Sequence, residues 1–160
     1  MKREGNESMP TREKNYENLL DQLKALLEEE TNRTANLANA AALLAQFLPQ
    51  INWVGFYLLI EEELVLGPFQ GLPACTRIPL GKGVCGKAAK EAKIFRIGDV
   101  TKFEGHIVCD AASRSELVIP LTKKGVLIGV LDIDSPLFNR FDETDEKFLD
   151  AFCHVLSSRI

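Results

Sequence analysis

A chain of 160 residues is long enough for one domain with a real core and too short for two, and 46% hydrophobic with 26% charged residues is an ordinary globular composition. A formal charge of −4, from 19 basic against 23 acidic residues, gives no reason to expect nucleic acid or an anionic membrane surface as partner. No apolar run reaches the ~18 residues of a membrane helix, and the polar start Met1-Lys2-Arg3-Glu4 lacks the apolar segment of a signal peptide, so a cytoplasmic protein is expected.

Residues 1–10 are polar and are expected to be frayed, leaving 11–160 as one domain. From Thr11 the chain reads as helix, with Leu19, Leu20, Leu23, Leu26 and Leu27 at helical spacing. Thr31 is a candidate cap for a second, alanine- and leucine-rich helix that Pro49 stops. Asn52 to Ile60 reads as a strand, Glu61-Glu62-Glu63 as a charged turn, and Leu64 to Phe69 as the returning strand of a hairpin. A third strand is expected over Ala74 to Leu80, ending at Gly81-Lys82-Gly83, then a short helix from Val84 to about Ala92 and a brief strand over Ile94 to Ile97. Thr101 to Ser113 has no clean period and reads as a long loop. Glu116 to Thr122 and Val126 to Asp134 form a hairpin around Lys123-Lys124-Gly125, and Asp142 to Ser158 is a closing amphipathic helix with Phe148, Leu149, Phe152, Val155 and Leu156 inward. This order predicts an α+β domain with helices packed on a mostly antiparallel sheet.

Side chains alternate along strands, which separates two faces. Val54, Phe56 and Leu58 oppose Trp53, Gly55 and Tyr57; Leu117, Ile119 and Leu121 oppose Glu116, Val118 and Pro120; Leu131 and Ile133 oppose Asp132 and Asp134. Each strand has one aliphatic face for the core and a second face of aromatic or acidic groups. If the second faces share one side of the sheet, Trp53, Tyr57, Glu116, Asp132 and Asp134 converge on an acidic, aromatic-walled pocket suited to a small cation. The plainer reading is a solvated face with scattered carboxylates. Against it, the carboxylates of Leu131-Asp132-Ile133-Asp134 end a strongly apolar strand, where burial raises pKa values and makes proton donors.

Four cysteines in a cytoplasmic chain are not expected to form structural disulfides, and their spacing with only two histidines argues against a structural zinc site. Four buried, inert thiols are the plain alternative. Cys109 lies in the long loop near His106, an accessible setting for a reactive thiol. Cys85 sits at the start of the short helix, where the backbone dipole favours a thiolate. Cys75 is placed at the head of a strand, and Cys153 in the core of the last helix.

Four segments together are specific: Gln70-Gly71-Leu72-Pro73-Ala74-Cys75, Gly81-Lys82-Gly83-Val84-Cys85-Gly86, Gly105-His106-Ile107-Val108-Cys109-Asp110 and Leu131-Asp132-Ile133-Asp134-Ser135-Pro136. In order and in cysteine intervals of ten and twenty-four residues, the chain resembles the free methionine-(R)-sulfoxide reductases from about Asn15 onward. The resemblance implies a single GAF domain with the N- and C-terminal helices on one face of the sheet and a ligand pocket on the other. It implies reduction of the R epimer of free methionine sulfoxide without metal or organic cofactor, with thioredoxin as reductant; homodimers are common for this fold. By the same resemblance Cys109 is the nucleophile, Cys85 the main resolving cysteine, and Cys75 able to form a second disulfide. Glu116, Asp132 and Asp134 would hold the substrate and polarise its sulfoxide, and Trp53 and Tyr57 would wall the pocket. Glu104 and Val108 stand where the family pattern has proline and alanine. Two rivals remain: a GAF sensor binding a small ligand, hinted at by Phe138-Asn139-Arg140-Phe141-Asp142-Glu143, and a thiol redox sensor without turnover.

Overall fold

The computed structural model of the chain describes residues 9–107, 109 and 111–160, with side chains from residue 11 onward. Most of the frayed segment expected over 1–10 lies outside the described residues, and helix α1 (Met9–Leu27) already includes its last two positions. Tyr16, Leu19, Leu23 and Leu27 form the buried stripe of α1, while Leu26, one step off that stripe, is exposed.

Helix α2 (Arg33–Phe47) starts one residue later than expected from Thr31. The Asn32 side chain accepts from Ala35 N–H at 2.9 Å, and Glu30 Oε1 accepts from the N–H groups of Thr31 and Asn32. Strands β1 (Trp53–Ile60) and β2 (Glu63–Gln70) form the first hairpin, with Glu61 at φ 57° in its turn. Strand β3 spans only Arg77–Pro79, not the whole of Ala74 to Leu80, because the chain before it leaves the ladder toward Cys109. Helix α3 (Gly83–Glu91), strand β4 (Phe95–Ile97) and a 3-10 turn at Val100–Lys102 follow. Strands β5 (Ser115–Lys123) and β6 (Val126–Ser135) form the second hairpin, and helix α4 (Glu143–Ser157) closes the chain behind a capping box of Asp142 and Asp145.

The six strands form one sheet in the order β3-β2-β1-β6-β5-β4, every neighbouring pair antiparallel. The aliphatic faces read from the alternation do make the main core. Val54, Phe56, Leu117, Ile119, Leu121, Leu131 and Ile133 pack with α1, α2 and α4 on one side of the sheet. Cys153 lies in this core, as expected.

A second, smaller core on the opposite face joins Trp53, Tyr57, Val118 and Val130 to Val84, Cys85 and Ala88 of α3. The second face is therefore covered, not solvated. Covering matters because burying a carboxylate beneath a helix is what changes its chemistry. On the helical side, Asp145 accepts from Tyr16 Oη at 2.5 Å and from Arg140 Nη1 at 3.2 Å, and pairs with Arg12 Nη2 at 2.6 Å. That cluster ties α1 to α4. The Phe138–Glu143 segment hinting at a sensor supplies Arg140 and the helix cap Asp142 to this cluster.

Candidate functional site

The β1–β6–β5 register builds the site. Trp53 pairs with Asp134 and Asp134 with Glu116, while Gly55 pairs with Asp132 and Asp132 with Val118 in the next row on the same face. Two carboxylates directly opposite each other on adjacent strands repel, an arrangement that stability alone disfavours. Trp53, Tyr57, Glu116, Asp132 and Asp134 do line one cavity, together with Cys85, Cys109 and His106. Its volume is about 40 Å³.

Gly55 makes the aromatic wall possible, since a Cβ there would lie 2.3 Å from that of Phe69. Trp53 stacks between Tyr57 and Phe69, with ring centroids 5.9 and 5.2 Å away. The polar ends of the wall point to the loop before β3. Trp53 Nε1 donates to Leu72 O at 3.1 Å, and Tyr57 Oη donates to Cys75 O at 2.8 Å. These aromatics therefore do more than wall a pocket, because they hold the segment carrying Cys75.

Cys75 and Cys109 are joined by a disulfide, and Cys85 is a free, buried thiol. The family resemblance implies Cys85 as the main resolving cysteine and Cys75 as able to form a second disulfide. The disulfide in this structure is the Cys75–Cys109 one, with Cys75 on a loop ahead of β3 and not in a strand. Gly83, at φ 61°, opens α3; an added Cβ would meet Ile107 Cγ1 at 3.1 Å, so the missing side chain lets the Cys109 loop lie over α3.

Cys85 is 4% exposed and sits in the first turn of α3, its Sγ–H donating to Glu116 Oε1 at 3.9 Å. The dipole argument for a thiolate fails here. Burial first, then the charges of Asp132, Glu116 and Asp134, push the Cys85 thiol well above its ordinary pKa. Burial likewise raises Glu116 well above the usual carboxylate range, with Asp132 and Asp134 adding to it, and burial raises Asp132. Burial lowers the pKa of His106, whose Nε2 lies 3.9 Å from Glu116 Oε2. The cavity thus pushes the Glu116 and Asp132 carboxyls and the Cys85 thiol toward their protonated forms.

Asn52 and Ser113 escaped the sequence reading. Asn52 Nδ2 donates to Ser113 Oγ at 3.2 Å, which ties the start of β1 to the end of the Cys109 loop, and Ser113 lines the cavity. A polar residue at a strand end carries no periodic signal that would have revealed this. The wall of Trp53 and Tyr57, the three carboxylates and the three motif cysteines are all brought to one place.

The GAF domain family matches residues 22–160. The chain is 55% identical over 134 residues to the free methionine-R-sulfoxide reductase of Escherichia coli, covering 84% of this chain and 81% of that protein. The chain belongs to the free methionine-R-sulfoxide reductase family of GAF domains. Protein YtsP of Bacillus subtilis is a further member-like relative, 58% identical over 151 residues and 93% of each chain. The fRMsr of Staphylococcus aureus, solved in complex with its substrate, matches at a TM-score of 0.87 and 50% identity, over 91% of this chain and 95% of that one. Membership in this reductase family, and not in the sensors that share the GAF fold, agrees with Cys85 and Cys109 lining one cavity and Cys75 being bonded to Cys109.

Proposed function

We propose that this chain reduces free methionine R-sulfoxide to methionine, with Cys109 as nucleophile and the carboxylates of β5 and β6 as substrate holders and proton donors. The observation that carries this reading is a disulfide-bonded cysteine beside buried carboxyls, with Glu116 raised in pKa by burial, in one cavity. Cys109 Sγ attacks the sulfoxide sulfur to form an S–S bond while a donated proton turns the sulfoxide oxygen into a hydroxyl. That hydroxyl passes to Cys109 Sγ as the S–S and S–O bonds of the adduct break, so methionine leaves and Cys109 carries a sulfenic acid. Glu116 and Asp134 supply acid chemistry, Asp132 holds the substrate's α-ammonium group, and Trp53 and Tyr57 enclose its side chain.

Resolution follows from accessibility. Cys85 is the resolving thiol nearest the acids; its sulfur condenses with the sulfenic acid and releases water. Cys75 then attacks Cys109 Sγ, forming the Cys75–Cys109 disulfide and returning Cys85 as a thiol. Cys75 and Cys109 are half-buried whereas Cys85 is buried, so an external dithiol reaches the second disulfide and not the first. Thioredoxin is the proposed reductant, and the cytoplasm the proposed compartment. Among the described residues no helix is long and apolar enough to cross a membrane.

The test is steady-state turnover with a thioredoxin system, comparing free methionine sulfoxide with its N-acetylated form. Turnover of the free R epimer and almost none of the N-acetyl compound is expected, because the acetyl group removes the charge that Asp132 would bind. Comparable turnover of both removes the proposed substrate class.

A further inference from the structure

One polar atom in the cavity has no partner. Asp132 is 6% exposed and its Oδ1 is buried without a hydrogen bond, a state that costs free energy unless a ligand supplies the missing charge or donor. Cys85 Sγ, a carboxylate oxygen of Glu116 and one of Asp132 lie within 4.8 Å of one another. They come from α3, β5 and β6, so no sequence spacing announces the set. His106 Nε2 lies 3.9 Å from the Oε2 of Glu116, outside this set.

We infer that Cys85, Glu116 and Asp132, with a water completing the tetrahedron, form a zinc-binding site that overlaps the substrate pocket and holds the enzyme inactive when filled. One sulfur and two carboxylate oxygens suit zinc, whereas magnesium and calcium prefer all-oxygen shells. Neighbouring donors on a tetrahedral zinc stand about 3.3–3.8 Å apart, given bonds of about 2.0–2.3 Å. The Cys85 Sγ–Glu116 Oε1 separation of 3.9 Å therefore needs only small closure. A cavity of about 40 Å³ has room for an ion and a water. As the zinc bonds form, the Cys85 thiol and any protonated Glu116 or Asp132 carboxyl release their protons to solvent, with no redox change. The site goes beyond the reductase reading, since the ion and the substrate's ammonium group compete for Asp132.

Cobalt(II) is the probe, added to the oxidised protein without reductant. In that state Cys75 and Cys109 are tied up and Cys153 is buried in the helical core, so any sulfur–cobalt band reports Cys85. One equivalent is expected to bind with a near-ultraviolet sulfur-to-cobalt charge-transfer band and the strong visible bands of tetrahedral cobalt, and zinc should displace it. Cys85→Ser should abolish the charge-transfer band. Glu116→Gln and Asp132→Asn, which keep side-chain shape, should each weaken zinc binding by roughly 10–100-fold or more, and Cys153→Ser should change nothing. Weak octahedral spectra in the wild type, a charge-transfer band that survives Cys85→Ser, or unchanged zinc affinity in both carboxylate variants would each overturn the site. None of these readouts uses reductase activity.

Discussion

The domain buries two sets of acidic side chains on opposite faces of one sheet, and they are treated in opposite ways. On the helical side Asp145, its side chain 1% exposed, is met by two arginines and a tyrosine. On the other side Glu116 and Asp132 are 6% exposed and face Asp134 and the Cys85 thiol, with His106 the only ion-pair partner of Glu116 among the described residues. The first set is charge-compensated and ties two helices together. In the second, Glu116 and Asp132 have no arginine or lysine partner among the described residues, and burial raises their pKa values. A fold that can satisfy a buried carboxylate in one place and leaves others unsatisfied nearby identifies the second place as the one kept for chemistry.

The largest effect that separates the two sets comes from Glu116→Gln. It keeps the shape but donates no carboxylic proton, so the methionine-forming burst should slow by about 10²–10⁴-fold. The alkaline fall of the burst rate, caused by Glu116 losing its proton, should vanish with it. The same variant should be more stable than wild type at pH 8. The folded pKa of Glu116 lies above its unfolded value, so stability declines as pH rises through the folded pKa. At pH 4, where both states hold the proton, the melting temperatures should converge. A lower melting temperature for Glu116→Gln at pH 8 would mean that the carboxylate is compensated after all.

Asp145→Ala should do the reverse. Removing one partner of a buried ion pair leaves Arg140 without its carboxylate and costs about 3–5 kcal/mol, measured by urea unfolding, while the burst rate per folded molecule holds. A large loss of burst rate in the folded fraction would show that the two faces are coupled. Smaller still is Tyr57→Phe, which removes the hydrogen bond to the Cys75 carbonyl. A net contribution of about 1 kcal/mol should slow formation of the Cys75–Cys109 disulfide about fivefold. Disulfide mapping by mass spectrometry after one turnover reads this, and the methionine-forming step should slow less.

The alternation of β1, β5 and β6 made both faces legible, because Leu131-Asp132-Ile133-Asp134 can bury its aliphatic side in only one register. The motif blocks made the three cysteines legible. What escaped depends on contacts distant in sequence. Tyr16 meets Asp145 across 129 positions, and Asn52 meets Ser113 across 61. Strand β3 was read too long because Ala74 and Cys75 look like strand residues locally, yet a disulfide and the Tyr57 hydrogen bond hold that segment elsewhere. The thiolate expected of Cys85 from its place in α3 was outweighed by burial beside carboxylates, which no helix-end signal encodes.

Single turnover without reductant tests the central claim most directly, with methionine counted per enzyme in Cys109→Ser and Cys85→Ser. Cys85→Ser should still release close to one methionine per molecule while losing thioredoxin-driven recycling, and Cys109→Ser should release none. A burst of methionine from Cys109→Ser would contradict the assignment of Cys109 as the attacking thiol.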